Sequence, residues 1–188
     1  MDLNHTPSGI LDYACKIVYK SFHPMLFEVR VMEKFSGIVG LTQAFRSATS
    51  DLKPGSKIVF VGSPYVCTPF IELLAYAVRD RNFQMVYIPM TEEDKARKID
   101  EFRGICYCIS EERADPYEPD AIVLLGGLAM PKFGRSVEEV RALVDRLSRE
   151  RRAKLLGVGF MGIFRKQGWD RVLKFEKLID ATIEVEVV

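Results

Sequence analysis

The sequence predicts a three-layer α/β protein built on a doubly wound, mainly parallel sheet. Three observations carry that prediction. The runs Ile58–Val61, Ile122–Leu125 and Leu155–Val158 contain no polar side chain, as strands covered on both faces require. Each run leads into a glycine-containing loop: Gly62–Thr68, Gly126–Pro131 and Gly159–Gly162. Segments with helical apolar spacing alternate with them, as helices that cross between parallel strands do.

Length and composition fit that class. A chain of 188 residues is long enough for one domain with a substantial core. With 48% apolar and 28% charged residues it has the balance of a globular protein. A formal charge of +1 supplies no field that would draw it to nucleic acid, and no apolar run approaches the roughly 18 residues of a membrane span. Neither a nucleic-acid nor a membrane partner is expected; a homo-oligomer is left open. Cys15, Cys67, Cys106 and Cys108, with no signal peptide in view, read as reduced thiols in a cytoplasmic protein. Zinc is not expected, because the histidines, His5 and His23, both lie in the N-terminal segment and structural zinc takes four Cys or His ligands.

Residues 1–31 stand apart as an N-terminal extension. Ile10–Phe22 has the spacing of a short helix ended by Pro24, and Met25–Val31 that of a short strand. Met32 as the natural start is the alternative. Residues 32–188 then make a single α/β domain. Ser36–Ala48 is an amphipathic helix with Ile38, Leu41, Phe45 and Ala48 on one stripe and Ser36 as N-cap. Pro54-Gly55 makes a turn before the strand Ile58–Val61. Thr68 is placed as the cap of the next helix, with Pro69 at its first position. Phe70, Leu73, Leu74 and Ala77 form its packing stripe, broadened by Ile71, Ala75 and Val78.

Met85–Ile88 reads as the second strand. Thr91 is read as opening a charged, solvated helix over Glu92–Asp100, followed by a third strand at Ile105–Ile109 and a proline-bearing loop at Asp115–Pro119. After the strand Ile122–Leu125, Ser136 and Glu139 form a capping box. It opens a helix that buries Val137, Val140, Leu143, Val144 and Leu147. Leu155–Val158 is a further buried strand. From Ile179 to Val187 apolar and polar residues alternate, which predicts a half-exposed strand near the sheet edge.

Several phrases occur together in order: Lys57–Gly62, Cys67-Thr68-Pro69-Phe70, Val123–Pro131 and Gly168-Trp169-Asp170. The pattern resembles an uncharacterised family of Rossmann-like proteins of methanogenic and related archaea, a domain of unknown function. The resemblance spans about Met32 to Val188. It implies an archaeal, cytoplasmic α/β sandwich and assigns no activity, cofactor or catalytic residue.

The candidate site is therefore read from residue chemistry. In open α/β sheets, ligands bind outside the carboxyl ends of the strands, where the winding reverses. Gly62, Ser63, Tyr65, Cys67, Thr68, Gly126, Gly127, Met130, Gly159 and Met161 converge on that crevice. They suggest binding of a small anionic or nucleotide-like ligand. The Gly62–Thr68 loop could cradle an anion at the start of a helix; otherwise it is a tight strand-to-helix turn. Gly126-Gly127 either lets a ligand approach the backbone or serves close packing. Lys132 and Arg135 either balance an anion or are solvated.

Cys67, at a helix start that favours a thiolate, is the candidate nucleophile or redox thiol of an enzyme. Its alternative is a small packing residue, and no histidine stands nearby in sequence to act as base. Gly157–Gly162 spells GxGxxG, with Asp180 beyond it. A dinucleotide fingerprint also needs a continuous helix to follow, and Gly168-Trp169 interrupts this one. Cys106 and Cys108 fall on one side of a strand, as a two-thiol metal or redox site or as ordinary buried cysteines. A non-catalytic partner of an archaeal complex is the remaining reading.

Overall fold

The structure is a computed structural model that describes residues 35–149 and 151–187. The expectations for residues 1–31 lie outside the described residues. Seven strands form one sheet: β1 (Lys57–Gly62), β2 (Gln84–Pro89), β3 (Arg97–Phe102), β4 (Cys106–Arg113), β5 (Ala121–Leu125), β6 (Lys154–Phe160) and β7 (Lys177–Ala181). Their order is β4-β3-β2-β1-β5-β6-β7. The chain starts at the central strand β1 and winds outward through β2 to β4. It then returns to the other flank of β1 with β5 and winds outward again. β1 pairs in parallel with both β2 and β5, and the parallel pairing continues through β6 and β7. The reversal of winding thus falls between β1 and β5, as the two apolar runs predict.

Helices cover both faces. Alternate residues of β1 divide the core: Ile58 and Phe60 pack toward α1 (Gly37–Ala48) and α2 (Thr68–Ala77), with Leu41, Phe45, Ile71 and Leu74. Val59 and Val61 pack toward α3 (Val137–Ser148), with Val140, Leu143 and Leu147. Phe164 from α4 (Ile163–Lys166) and Trp169 from α5 (Trp169–Val172) complete that second layer. Each fully buried side chain of this kind contributes about 1.5–3 kcal/mol. The runs predicted to be covered on both faces are so covered; β5 is buried at all five positions.

Several expectations need correction. Ile38, placed on the packing stripe of α1, is 55% exposed. Glu92–Asp100 is not a helix: only Glu93–Lys95 makes a 3-10 turn, and Arg97–Phe102 is β3. β3 pairs antiparallel with β2 and with β4. The local charge pattern suited a solvated helix, but Ile99 lies against Met85 of β2 in the first core, and that tertiary pairing overrides a weak local preference. The N-cap position of α2 is Cys67, and Thr68 is already helical. The stripe of α2 is rotated: Ile71, Leu74, Ala75 and Ala77 are buried, whereas Phe70 and Leu73 are half-buried. β7 stops at Ala181, and Thr182 to Val187 is exposed and without strand pairing among the described residues. The capping box is present as expected, with Glu139 N–H donating to Ser136 Oγ at 3.2 Å and Ser136 N–H donating to Glu139 Oε2 at 3.0 Å.

Candidate functional site

The loops that follow β1, β5 and β6 meet beyond the carboxyl ends of those strands. Gly62 closes β1, and its carbonyl accepts from Met90 N–H at 2.9 Å and from the Tyr87 hydroxyl at 3.2 Å. The loop then folds back on itself: Cys67 N–H donates to Ser63 O at 3.1 Å, and Ser63 Oγ lies 3.3 Å from Cys67 Sγ. Both side chains are buried. A Cβ on Gly62 would stand 2.7 Å from Cys67 Cβ, so β1 can end here only in glycine.

From the β5 side, Gly126 and Gly127 begin a 3-10 turn over Gly126–Ala129. A Cβ on Gly127 would collide with Ser63 Oγ and Cys67 Sγ. A Cβ on Gly126 would stand 2.7 Å from Ile163 Cγ2 and 3.0 Å from Gly159 Cα. The glycine pair thus has a packing role: it lets the β1 loop and the end of β6 close on the end of β5. Ser63, Cys67 and Gly127 form a plug at the reversal point. Cys67 is 3% exposed, so any chemistry at its sulfur would require the loop to open. Burial, and then the neighbouring Cys67, push the Tyr87 hydroxyl well above its usual range, which leaves Tyr87 a neutral donor to Gly62.

The GxGxxG string is accounted for by packing as well. Side chains of Leu178 and Phe175 fill the space beside Gly157, and Phe164 and Ile163 that beside Gly159. Gly162 has φ +70°, and its N–H donates to Asp180 Oδ1 at 2.9 Å. Asp180 thus holds the turn, and the helix that follows, α4, is only four residues long. A dinucleotide phosphate has no helix to sit on here.

Above the plug the rim is open. Tyr65 is 91% exposed, Phe133 66%, Met161 52% and Val66 50%; Thr68 and Met130 are half-buried. Three non-glycine residues beyond parallel strand ends hold positive φ: Tyr65 after β1, Met90 after β2 and Met161 after β6. For such residues the left-handed region costs about 1–2 kcal/mol, and held strain of this kind clusters at functional sites. Sequence reasoning included Tyr65 and Met161 but missed Met90 and Phe133. A positive φ carried by a residue other than glycine leaves no mark in the sequence.

At the far edge of the sheet Cys106 and Cys108 stand with their sulfurs 3.9 Å apart. Cys106 is exposed and Cys108 half-buried, so the ordinary expectation of buried cysteines does not hold for this pair. Burial, the hydrogen bond with Cys106, and the charges of Cys106 and Glu72 all push the Cys108 thiol upward.

Residues 36–184 match the family described as "Uncharacterized protein conserved in archaea (DUF2124)". The chain belongs to that archaeal family. Among its relatives, an uncharacterized protein of Methanocaldococcus jannaschii is 36% identical over 162 residues, covering 86% of this chain and 96% of the relative. Another, from Methanothermobacter thermautotrophicus, is 38% identical over 153 residues, covering 81% and 94%. A crystal structure of a protein of unknown function from Methanothermobacter thermautotrophicus is 37% identical and superposes with a TM-score of 0.73 over 84% of this chain and 96% of its own. The α/β architecture is thus common to this chain and a solved archaeal relative. No helix among the described residues is long and apolar enough to cross a membrane.

Proposed function

We propose that the protein binds a small anionic or nucleotide-like ligand on the rim above the ends of β1, β5 and β6. One observation carries this reading: the strained, outward presentation of Tyr65, with φ +65° and 91% of its surface in water. Neither core packing nor local backbone preference accounts for an aromatic ring held there, whereas a flat ligand stacked on it would. Met161, exposed and also at positive φ, supplies a second apolar contact. Lys132 and Arg135 follow the β5 loop, and Arg165 and Lys166 follow the β6 loop, so cations for an anionic group are close in sequence to both walls. Because Ser63 and Cys67 fill the crevice itself, the ligand lies over the plug. The reduced thiols fit action in the cytoplasm.

The test is a thermal-shift screen of nucleotides, dinucleotides, flavins and phosphorylated compounds. A ligand at about a hundred times its dissociation constant stabilises by roughly 2.7 kcal/mol, a rise of about 5–10 °C for a chain of this size. Tyr65→Ala should weaken a hit by about tenfold or more, since stacking of a base on an aromatic side chain contributes roughly 1–3 kcal/mol. A flat screen, or a hit unchanged in Tyr65→Ala, overturns the reading and favours a protein partner for the same rim.

A further inference from the structure

The second feature is independent of the rim and lies at the opposite edge of the sheet. Among the described residues β4 is an edge strand, paired with β3 alone. Its residues alternate: Tyr107 and Ile109 pack against the first core. Cys106 and Cys108 therefore turn to the other face, beside their cross-strand partners Phe102 and Asp100. Phe102 is itself 50% exposed, and no helix among the described residues covers the thiols on that side. On the opposite, α2 face, a shallow hollow of about 270 Å³ is lined by Glu72, Leu73, Tyr76, Ile105, Cys106 and Tyr107. Glu72 reaches the open edge of β4, where its Oε1 accepts from Ile109 N–H at 3.3 Å.

We propose that Cys106 and Cys108 are a redox-active dithiol that exchanges with a low-molecular-weight disulfide approaching the exposed outer face of β4. No group of three or more metal-ligating side chains occurs among the described residues, whereas two thiols are complete for thiol–disulfide exchange. Residues two apart on a strand lie about 6.6–6.8 Å apart. That is the upper end of the Cα separation a disulfide spans, and bonds at the limit of that geometry are readily reduced. Among the described residues β4 is held from one side only, which leaves its backbone room to adjust.

The asymmetry of the pair assigns the roles. Cys106 is the exposed attacker. Cys108, half-buried and held protonated by burial, by Cys106 and by the Glu72 charge, is the resolving thiol. The Cys106 thiolate attacks one sulfur of the substrate disulfide R–S–S–R. The S–S bond breaks, and one R–S⁻ leaves with the electron pair and takes a proton from water. Cys108 then gives its proton to water and attacks Cys106 Sγ, which expels the second R–S⁻; that thiolate is protonated in turn. The two protein thiols are oxidised to one disulfide, and the substrate is reduced to two thiols.

The test uses the full chain, reduced and then treated anaerobically with 5,5′-dithiobis(2-nitrobenzoate), with trypsin cutting after Arg103 and Arg113 so that both cysteines fall on one peptide. In the wild type that peptide should lose two hydrogens and retain no adduct. Cys108→Ser should retain one adduct, on Cys106, and Cys106→Ser should react far more slowly. Dithiothreitol should restore the wild-type peptide to its reduced mass. Two retained adducts on the wild-type peptide would identify independent thiols and overturn the proposal. So would a Cys108→Ser protein that keeps no adduct.

Discussion

Tyr65, Gly127 and Cys67 set the character of the candidate site, and each makes a prediction. Gly127→Ala places a methyl group against Ser63 Oγ and Cys67 Sγ; overpacking of this kind costs about 1–3 kcal/mol. Combining it with Cys67→Ala should recover part of the loss, because the two sites share one space and their effects do not add. Urea unfolding of the two single variants and the double variant measures the coupling, and simple additivity would rule out the plug. Tyr65→Gly, in which the left-handed backbone is relieved, should be more stable than Tyr65→Ala by about 1 kcal/mol, while both lose the ligand. At this scale the sequence marked Gly126-Gly127 as a close approach but left ligand and packing as alternatives, and the contacts beside them are those of packing. It was silent about the positive φ of Tyr65, Met90 and Met161, since no residue type there announces it.

Among the elements, α1 and α2 are tied at their C-terminal ends. Arg46, in the last turn of α1, donates to Ala77 O at the end of α2 and, through both guanidinium nitrogens, to Asp80 at 2.6 and 2.8 Å. That bidentate contact holds the Asp80 carboxyl well below the usual carboxylate range. A carboxyl with a lowered folded-state pKa contributes stability above its unfolded value, about pH 4, and loses that contribution as pH falls through the folded value. Asp80→Asn should therefore lower the urea midpoint at pH 7 and lessen the further fall between pH 4 and pH 2; an unchanged acid slope would assign that fall to other carboxylates. On α3, Ser136→Ala should cost about 1 kcal/mol. The capping box was readable because serine and glutamate at this spacing act locally. β3 was misread because Arg97–Phe102 has a charged, helix-compatible pattern and becomes a strand only through Met85 and Ile109 on its neighbours. β7 was overextended for the same reason: its alternation runs on to Val187, but β6 offers partners only as far as Ala181.

Across the whole molecule, burial is concentrated in β1 and β5 and thins toward both edges. Amide exchange should be slowest at Ile58–Val61 and Ile122–Leu125 and fastest in β4 and β7. Equal protection in β4 would mean that its outer face is covered in solution. The winding was legible because three apolar runs punctuated by glycine loops admit few other arrangements. The central place of β1 has a further consequence, for synthesis. Its flank is closed by β5, and the start of β1 is fixed to the start of β5 by Lys57 N–H donating to Asp120 Oδ2 at 2.9 Å, across 63 residues of chain. At roughly 5–20 residues per second of translation, the apolar segment Ile58–Val61 waits about 3–12 s beside the ribosome before its second neighbour has been made. Its first neighbour, β2, comes much sooner, so the nascent chain passes through a half-built sheet with one face of its most apolar strand pair unsheltered. Whether that intermediate is sheltered, or is lost to aggregation when expression outruns it, is decided in those seconds.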